Sequence, residues 1–190
     1  ILFAVLLMNR PWEQREKLFI AFIVAAFLYS IADLFVRGDF LMDQKRLLSQ
    51  IGICMAIWTV VQYHYFIRPY FSRTPVRIPL AYSFVVATVA LCVAGLIPRL
   101  TIVSDDGVTV YYGLPLLIIG VLVFTSLGVR DGVLLFRCHR LATDAAERNQ
   151  IAYLITTIVV FSLFMLLSFV PTAGSYPMAL IGNLLAACVL

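Results

Sequence analysis

Apolar stretches about as long as a membrane-spanning helix recur along the whole chain, and they restrict the fold more than any other feature. A helix needs roughly 20 residues to cross a hydrocarbon core of about 30 Å. Five stretches approach that length: 18–36, 47–67, 78–97, 114–136 and 151–170. Hydrophobic residues make up 63% of the chain and charged residues 13%, whereas an ordinary globular domain is about half apolar and a quarter charged. The pattern therefore predicts an all-α membrane protein.

Two shorter apolar stretches, 1–8 and 177–190, occupy the ends of the chain. Both are too short to cross a bilayer. The first has no charged region before it, which disfavours a signal peptide. We interpret the two stretches as the first and last helices of a seven-helix transmembrane bundle, each truncated, so that residues 1–190 form a single transmembrane domain.

The 14 Lys and Arg residues are divided unequally between alternate loops, and this division predicts the orientation in the membrane. Ten fall in one set: Arg10, Arg15, Lys17, Arg68, Arg73, Arg77, Arg130, Arg137, Arg140 and Arg148. Four fall in the other: Arg37, Lys45, Arg46 and Arg99. Because loops richer in basic residues remain in the cytoplasm, the N-terminus should be outside and the C-terminus cytoplasmic.

The longest connection on the predicted outer side, residues 98–113, alternates apolar and polar residues around Asp106 and Gly107. Alternation on both sides of an Asp-Gly turn is typical of a β-hairpin. A small external β-hairpin is therefore expected above the bundle. Tyr111 would lie at the level of the lipid headgroups, where amphipathic rings are favoured.

Several classes of function are disfavoured by the residues present. The net charge of +4 comes from short loops, without a basic patch interleaved with aromatic residues, so nucleic-acid binding is not expected. The four cysteines have neither metal-like nor paired spacing, and no metal or other cofactor is predicted. No nucleophile with a supporting base and no pair of carboxylates suggests an enzyme site.

Four segments resemble the N-terminal seven-transmembrane sensor region of bacterial histidine kinases, which also occurs in some diguanylate cyclases. They are NRPWEQREKLF (9–19), YYGLPLL (111–117), RNQIAYL (148–154) and SYPMALIGNLLAACVL (175–190). The resemblance covers essentially the whole chain. It implies a sensor module of a two-component system in the bacterial cytoplasmic membrane, which passes an external or membrane-borne signal to a cytoplasmic output domain.

The same resemblance implies a homodimer surrounded by membrane lipids, with a small amphipathic molecule or a lipid as ligand. The sequence contains neither a phosphoacceptor histidine motif nor an ATP-binding glycine box, so enzyme activity would belong to the output domain. A small integral-membrane transporter is the alternative. It would favour helices broken at mid-depth, whereas the prolines here lie at the ends of the predicted spans.

Candidate ligand-binding residues are polar or aromatic side chains within the predicted spans or at their outer ends. Asp33 shares a helical face with Tyr29, and an ionisable group in lipid costs about 2.5–3.5 kcal/mol, which suggests a function. Arg37 follows one turn later and offers a simple ion pair instead. Trp58 is interpreted either as a pocket wall or as a packed core residue. Tyr111 and Asn183 complete the candidate list: Tyr29, Asp33, Trp58, Tyr111 and Asn183.

The fifth predicted span ends in a group of small and charged residues. Gly128 and Gly132 form a small-xxx-small pattern that allows two helices to approach closely. Arg130 and Asp131 lie between them and either pack structurally or form an electrostatic latch that breaks on activation. His64, near the cytoplasmic end of the third span, is expected to be a satisfied interfacial side chain, because a single histidine is poor evidence for a metal site.

Overall fold

The computed structural model describes residues 14–37, 41–71, 79–104, 107–111 and 113–168, and this part of the chain is mostly helical. The predicted spans 1–8 and 177–190 lie outside the described residues. The helices and strands are α1 (Gln14–Arg37), a short 3-10 turn (Met42–Gln44), α2 (Lys45–Phe71), α3 (Pro79–Val93), β1 (Leu100–Ser104), β2 (Gly107–Tyr111), α4 (Gly113–Leu141) and α5 (Ala145–Ser168).

Each of the five full-length predicted spans falls on one of these helices, but α3 ends at Val93 and not at the predicted residue 97. Gly95 adopts a left-handed φ of 73°. The amide of Leu96 donates to the carbonyl of Leu91 at 3.0 Å, and that of Gly95 donates to Cys92 at 3.0 Å. These two bonds form a Schellman motif, in which glycine ends a helix because it alone tolerates this φ without strain.

The two strands pair antiparallel, from Leu100 opposite Tyr111 to Ser104 opposite Gly107. Gly107 was predicted to lie in the turn, and its place is instead the first residue of β2. The residues between the strands lie outside the described part of the chain. The amide of Arg99 donates to the carbonyl of Tyr111 at 2.9 Å and extends the pairing by one bond.

Helix α2 lies at the centre of the bundle, because all residues from 61 to 67 are buried. A first apolar cluster joins α2 to α1, α4 and α5: Phe22, Tyr63, Phe66, Ile67, Leu135, Ile151 and Leu154. A second cluster joins α2 to α3 and to the first half of α4: Ile57, Val61, Tyr65, Ala81, Ile119, Val123 and Leu127. Seven consecutive residues cover almost two helical turns, so this part of α2 is enclosed by its neighbours on every side.

Two of the described helices are long and apolar enough to cross a membrane by length and composition, namely Glu16–Val36 and Gly113–Leu141. Helix α3 has a shorter apolar segment, Leu80–Val93. Large apolar side chains also lie on the outside of the bundle, among them Phe27, Leu80 and Leu114, which are 64%, 83% and 68% exposed.

The end of α1 is capped by the first residue of the next helix. The Lys45 side chain is buried, and its Nζ donates to the carbonyls of Phe35 and Val36 at 2.9 and 3.2 Å. The last carbonyls of a helix have no partner within the helix and carry partial negative charge. The Lys45 ammonium therefore satisfies two of them and joins α1 to α2.

Replacing Lys45 by Met should lower the free energy of unfolding by about 1.5–3 kcal/mol, because the change removes two charged hydrogen bonds that join α1 to α2. The measurement is a denaturant titration of the purified chain in detergent. Lys17→Met is the matched control, since Lys17 is an exposed residue of α1. Equal losses in the two variants would show that the cap contributes nothing specific.

Candidate functional site

A histidine and an aspartate form a buried pair between α2 and α4. The Nδ1 atom of His64 lies 2.9 Å from both carboxylate oxygens of Asp131. The two side chains are only 5% and 3% exposed. The two groups share a hydrogen bond, in which Nδ1–H of the imidazole donates when the carboxylate is ionised. A buried ionisable pair in an apolar bundle marks a candidate functional site.

Three consecutive residues of α2 bind three different helices at this level. Gln62 Nε2 donates to the hydroxyl of Tyr82 on α3 at 2.6 Å. The Tyr63 hydroxyl donates to the carbonyl of Leu154 on α5 at 3.0 Å, and His64 binds α4. Successive side chains of an α-helix point about 100° apart. The polar residues of a single turn therefore connect α2 to three neighbours in different directions.

Aromatic rings enclose the same turn of α2. Tyr65 stacks on Tyr82 with ring centroids 5.3 Å apart. On the opposite side, Tyr63 and Phe66 pack against Phe22 of α1, at centroid distances of 5.3 and 6.1 Å. Large rings exclude water, and electrostatic interactions are stronger where water is excluded. The electrostatic interaction between His64 and Asp131 is therefore stronger here than it would be in water.

Two arginines lie close enough for their charge to act on Asp131. Arg68 follows His64 by one turn on α2, and Arg130 precedes Asp131 on α4. The Arg68 side chain is half-buried and that of Arg130 is exposed. Both positive charges act on the Asp131 carboxylate against the larger effect of its burial.

A π-helical turn, Phe124–Gly128, determines which face of α4 carries Asp131. The buried residues of α4 recur every four positions from Ile119: Ile119, Val123, Leu127, Asp131 and Leu135. In a continuous α-helix each step of four advances by about 40° around the axis, so the four steps would spread these residues over roughly 160°. A π turn holds more residues per turn and reverses part of this drift. As a result, Asp131 faces α2 together with Ile119.

The hydroxyl side chains of the π turn are bonded within their own helix. The Thr125 hydroxyl donates to the carbonyls of Val121 and Leu122, at 2.8 and 3.2 Å, and the Ser126 hydroxyl donates to Leu122. The wider turn disturbs the regular backbone ladder. Ser30 and Thr59 make the same bond to the preceding turn in regular α-helix, so these contacts satisfy the hydroxyls and are not specific to the π turn.

The ligand-binding candidates from the sequence lie at separate places in the structure. Tyr29 is buried on α1 against Ala56 of α2, and Asp33 is half-buried one turn later on α1. Trp58 is half-buried on α2, and Tyr111 is 51% exposed at the end of β2. The remaining candidate, Asn183, lies outside the described residues. That these side chains line one ligand cavity stays a prediction.

The charged and small residues at 128–132 of α4 have different surroundings in the structure. Asp131 is buried and bound to His64, whereas Arg130 is exposed. A Cβ atom placed on Gly128 would meet Phe124 of its own helix at 3.4 Å, and one placed on Gly132 would have no described atom within 4 Å. Close approach of another helix to these glycines stays a prediction, as does a latch function for Arg130 and Asp131.

Two features of the site were not found by sequence reasoning. His64 was expected at the membrane interface, and its partner Asp131 is 67 residues away, a distance that gives no local signal. Cys54 and Cys92 were taken as unpaired by spacing, and their sulfur atoms lie 3.9 Å apart. Both pairs could have been found by comparing residues at the same predicted depth in different spans. Such a comparison would look for an acid opposite a histidine, or for two cysteines opposite each other. Within the described part of the chain, no three His, Cys, Asp or Glu side chains group to hold a metal ion.

Comparison of the chain with family models, with curated proteins and with solved structures gives no match.

Removing either member of the buried pair should be strongly destabilising, because the other member is left buried without its partner. His64→Ala and Asp131→Ala should each lower the free energy of unfolding by about 3–5 kcal/mol. The double variant should lose less than the sum of the two, with a coupling of about 0.5–3 kcal/mol. Arg137→Ala, at an exposed position of α4, is the control. Additive losses in the double variant would show that the two side chains do not interact.

Deleting Ser126 should be tolerated, because α4 then loses the one extra residue of its π turn and continues as a regular helix with Asp131 still facing α2. Deleting both Thr125 and Ser126 should instead rotate Asp131 by about 100° away from α2 and cost as much as Asp131→Ala. Denaturant titration of the two deletion variants checks both expectations. Equal stability of the two would contradict the assigned role of the π turn.

Proposed function

We propose that this chain is the transmembrane sensor module of a bacterial signal-transduction histidine kinase or a related signalling protein. The observation that carries the proposal is the buried His64–Asp131 pair, which joins two helices inside an otherwise apolar bundle. A buried ionisable pair of this kind is costly to insert and is commonly retained for function. In the proposed module it acts as the contact that differs between two packings of the helices.

The surface of the bundle supports a location in a membrane. Two helices have the length and composition of membrane spans. Large apolar side chains such as Phe27, Leu80 and Leu117 lie exposed on the outside of the bundle, at 64%, 83% and 63%. In water, many exposed apolar side chains on one bundle favour aggregation or association with a partner. In the proposed bilayer, the same side chains are solvated by lipid tails.

The finer architecture of the proposal is the one expected from the sequence. Seven helices cross the cytoplasmic membrane, with the N-terminus outside, and β1 and β2 lie on the outer side. The seventh span leads to a cytoplasmic output domain, and the module works as a homodimer. These elements are supported by the distribution of Lys and Arg and by the resemblance of segments 9–19, 111–117, 148–154 and 175–190 to kinase sensor regions.

The proposed mechanism is a shift between two packings of the bundle. A small amphipathic molecule or lipid binds the outer halves of the helices and favours one packing by its difference in affinity for the two. Since α2 binds α3, α4 and α5 through Gln62, His64 and Tyr63, a rotation of α2 changes three helix contacts at once. The His64–Asp131 contact biases the equilibrium, and the helix that leads to the output domain carries the change across the membrane.

The rival function, a small transporter, is favoured by the same pair, because carboxylate and histidine side chains in membrane helices also form proton relays. The two functions differ in what passes through the protein. A sensor changes the activity of its output domain without net flux of protons or solute. A transporter moves protons or solute in proteoliposomes, and the flux disappears in Asp131→Asn.

Measuring autophosphorylation of the full-length gene product in lipid vesicles tests the proposal. Asp131→Asn retains the size of the side chain and removes its charge, so it should change the equilibrium between the two packings by about 5–150-fold and change the autophosphorylation rate accordingly. Arg137→Gln is the matched control and should retain the normal rate, since Arg137 is exposed.

An unchanged rate in Asp131→Asn, with normal folding and membrane insertion, would rule out the pair as the signalling contact. Proton flux in vesicles that depends on Asp131 would replace the sensor assignment with the transporter. An output domain without kinase or cyclase activity would overturn the proposed relation to histidine kinases and diguanylate cyclases.

A further inference from the structure

Two cysteines from different helices lie side by side near the end of α3. The Sγ atoms of Cys54 on α2 and Cys92 on α3 are 3.9 Å apart, although the residues are separated by 38 positions in the sequence. Both thiols are free, with Cys92 buried and Cys54 half-buried. At this distance the two sulfur atoms are in van der Waals contact. The formation of a bond requires the two sulfur atoms to approach from 3.9 Å to about 2.05 Å.

Polar contacts hold the backbone next to the cysteine pair, at the end of α3. Gln50, one turn before Cys54, donates from Nε2 to the carbonyl of Cys92 at 2.9 Å and to that of Ile97 at 3.1 Å. Arg46 donates to the carbonyl of Gly95 at 3.4 Å. These contacts connect the part of α2 before Cys54 to Cys92 and the turn that follows it. The proximity of the thiols is therefore a built feature of this helix interface.

The surroundings of the pair favour a neutral product. Ile53, Ile97 and Leu116 form an apolar cluster with Cys92, and Cys54 packs against it. A thiolate-bound metal ion would place negative charge among these side chains, at a cost in free energy. A disulfide carries no charge. The apolar environment thus favours a covalent bond between the sulfurs over coordination of a soft metal ion by them.

We propose that Cys54 and Cys92 form a reversible disulfide with a lipid-soluble quinone as the oxidant. Two S–H bonds break and one S–S bond forms. The two electrons and two protons released pass to the quinone, which becomes the hydroquinone. The reverse reaction requires a dithiol reductant, which is itself oxidised to its disulfide.

The exposed surface beside the pair suits an apolar oxidant. Val89, Val93 and Leu96 of α3 and the turn after it are 43%, 83% and 51% exposed, and Ile51 of α2 is 39% exposed. A quinone dissolved in lipid can reach such a surface, whereas a charged oxidant is excluded from it. This choice of oxidant relies on the proposed membrane location, and formation of the disulfide itself does not.

The disulfide would restrict the same helix that carries His64. Cys54 lies ten residues before His64 on α2, about 15 Å along the helix axis. Near His64, the contact between α2 and α3 is the hydrogen bond from Gln62 to Tyr82. A covalent bond at Cys54 and Cys92 fixes the other end of this interface. Oxidation would therefore limit rotation of α2 relative to α3.

The test uses the full chain in lipid vesicles, with Cys138 and Cys188 replaced by Ala so that only the pair remains. The vesicles are incubated anaerobically with decylubiquinone, and free thiols are then alkylated and counted by mass spectrometry. The expected result is the loss of both alkylatable thiols and a linked Cys54–Cys92 peptide, with both thiols restored by dithiothreitol. Cys54→Ala in the same background is the matched control and should keep its single thiol.

The unsubstituted chain, digested after the same treatment, provides a second measurement that does not depend on the folding of a variant. It should contain the linked Cys54–Cys92 peptide. Free thiols at both Cys54 and Cys92 after treatment with both decylubiquinone and diamide would overturn the disulfide. Linkage with diamide alone would overturn the quinone as oxidant. The sensor proposal is tested by autophosphorylation and can fail or succeed independently of these results.

Discussion

Helix α2 has no outward face at the level of residues 61–67, and most of the architecture around it follows from this constraint. Polar side chains in such a position cannot reach solvent, and a buried polar group without a partner costs about 1–3 kcal/mol. Gln62, Tyr63 and His64 therefore require partners on neighbouring helices, and each helix that supplies a partner is held at a defined rotation. Apolar packing alone is less selective, because many apolar surfaces of similar volume fit one another. The hydrogen bonds of Gln62, Tyr63 and His64 thus favour one arrangement of the helices among the many that apolar packing allows.

The general architecture follows from the sequence, but several helix ends do not. Apolar stretches of suitable length indicate helices because the backbone in lipid must satisfy its own hydrogen bonds, and α1 to α5 fall where those stretches lie. Apolar character continues to Ile97, whereas α3 ends at Val93, since the backbone conformation of Gly95 ends the helix regardless of hydropathy. Lys45 shows a related limit. Its charge suggested a residue of an external loop, and the structure buries it as the cap of α1.

The candidate site was harder to predict than the fold, because its parts are far apart in the sequence. His64 and Asp131 were each noticed as ionisable residues near span ends, but their pairing depends on the rotation of two helices. The π turn in α4 changes that rotation, and the Thr, Ser and Gly of its sequence, FTSLG, are residue types that the regular helices of this chain also contain. The proximity of Cys54 and Cys92 depends likewise on the packing of α2 against α3. The residue types therefore indicated which positions to consider, but which of them pair with each other could be seen only in the structure.

The hydroxyl groups of the π turn have an implication for what can surround α4. Thr125 and Ser126 lie on the exposed side of the helix, yet both hydroxyls are directed back to carbonyls of the preceding turn. A break in a helix usually needs water or a polar neighbour at the same depth. Here both hydroxyls are bonded within α4 itself, so in the proposed bilayer they need no polar partner from outside the helix. The helix therefore changes its rotation partway along its length and places Asp131 in the interior without exposing an unbonded hydroxyl of this turn.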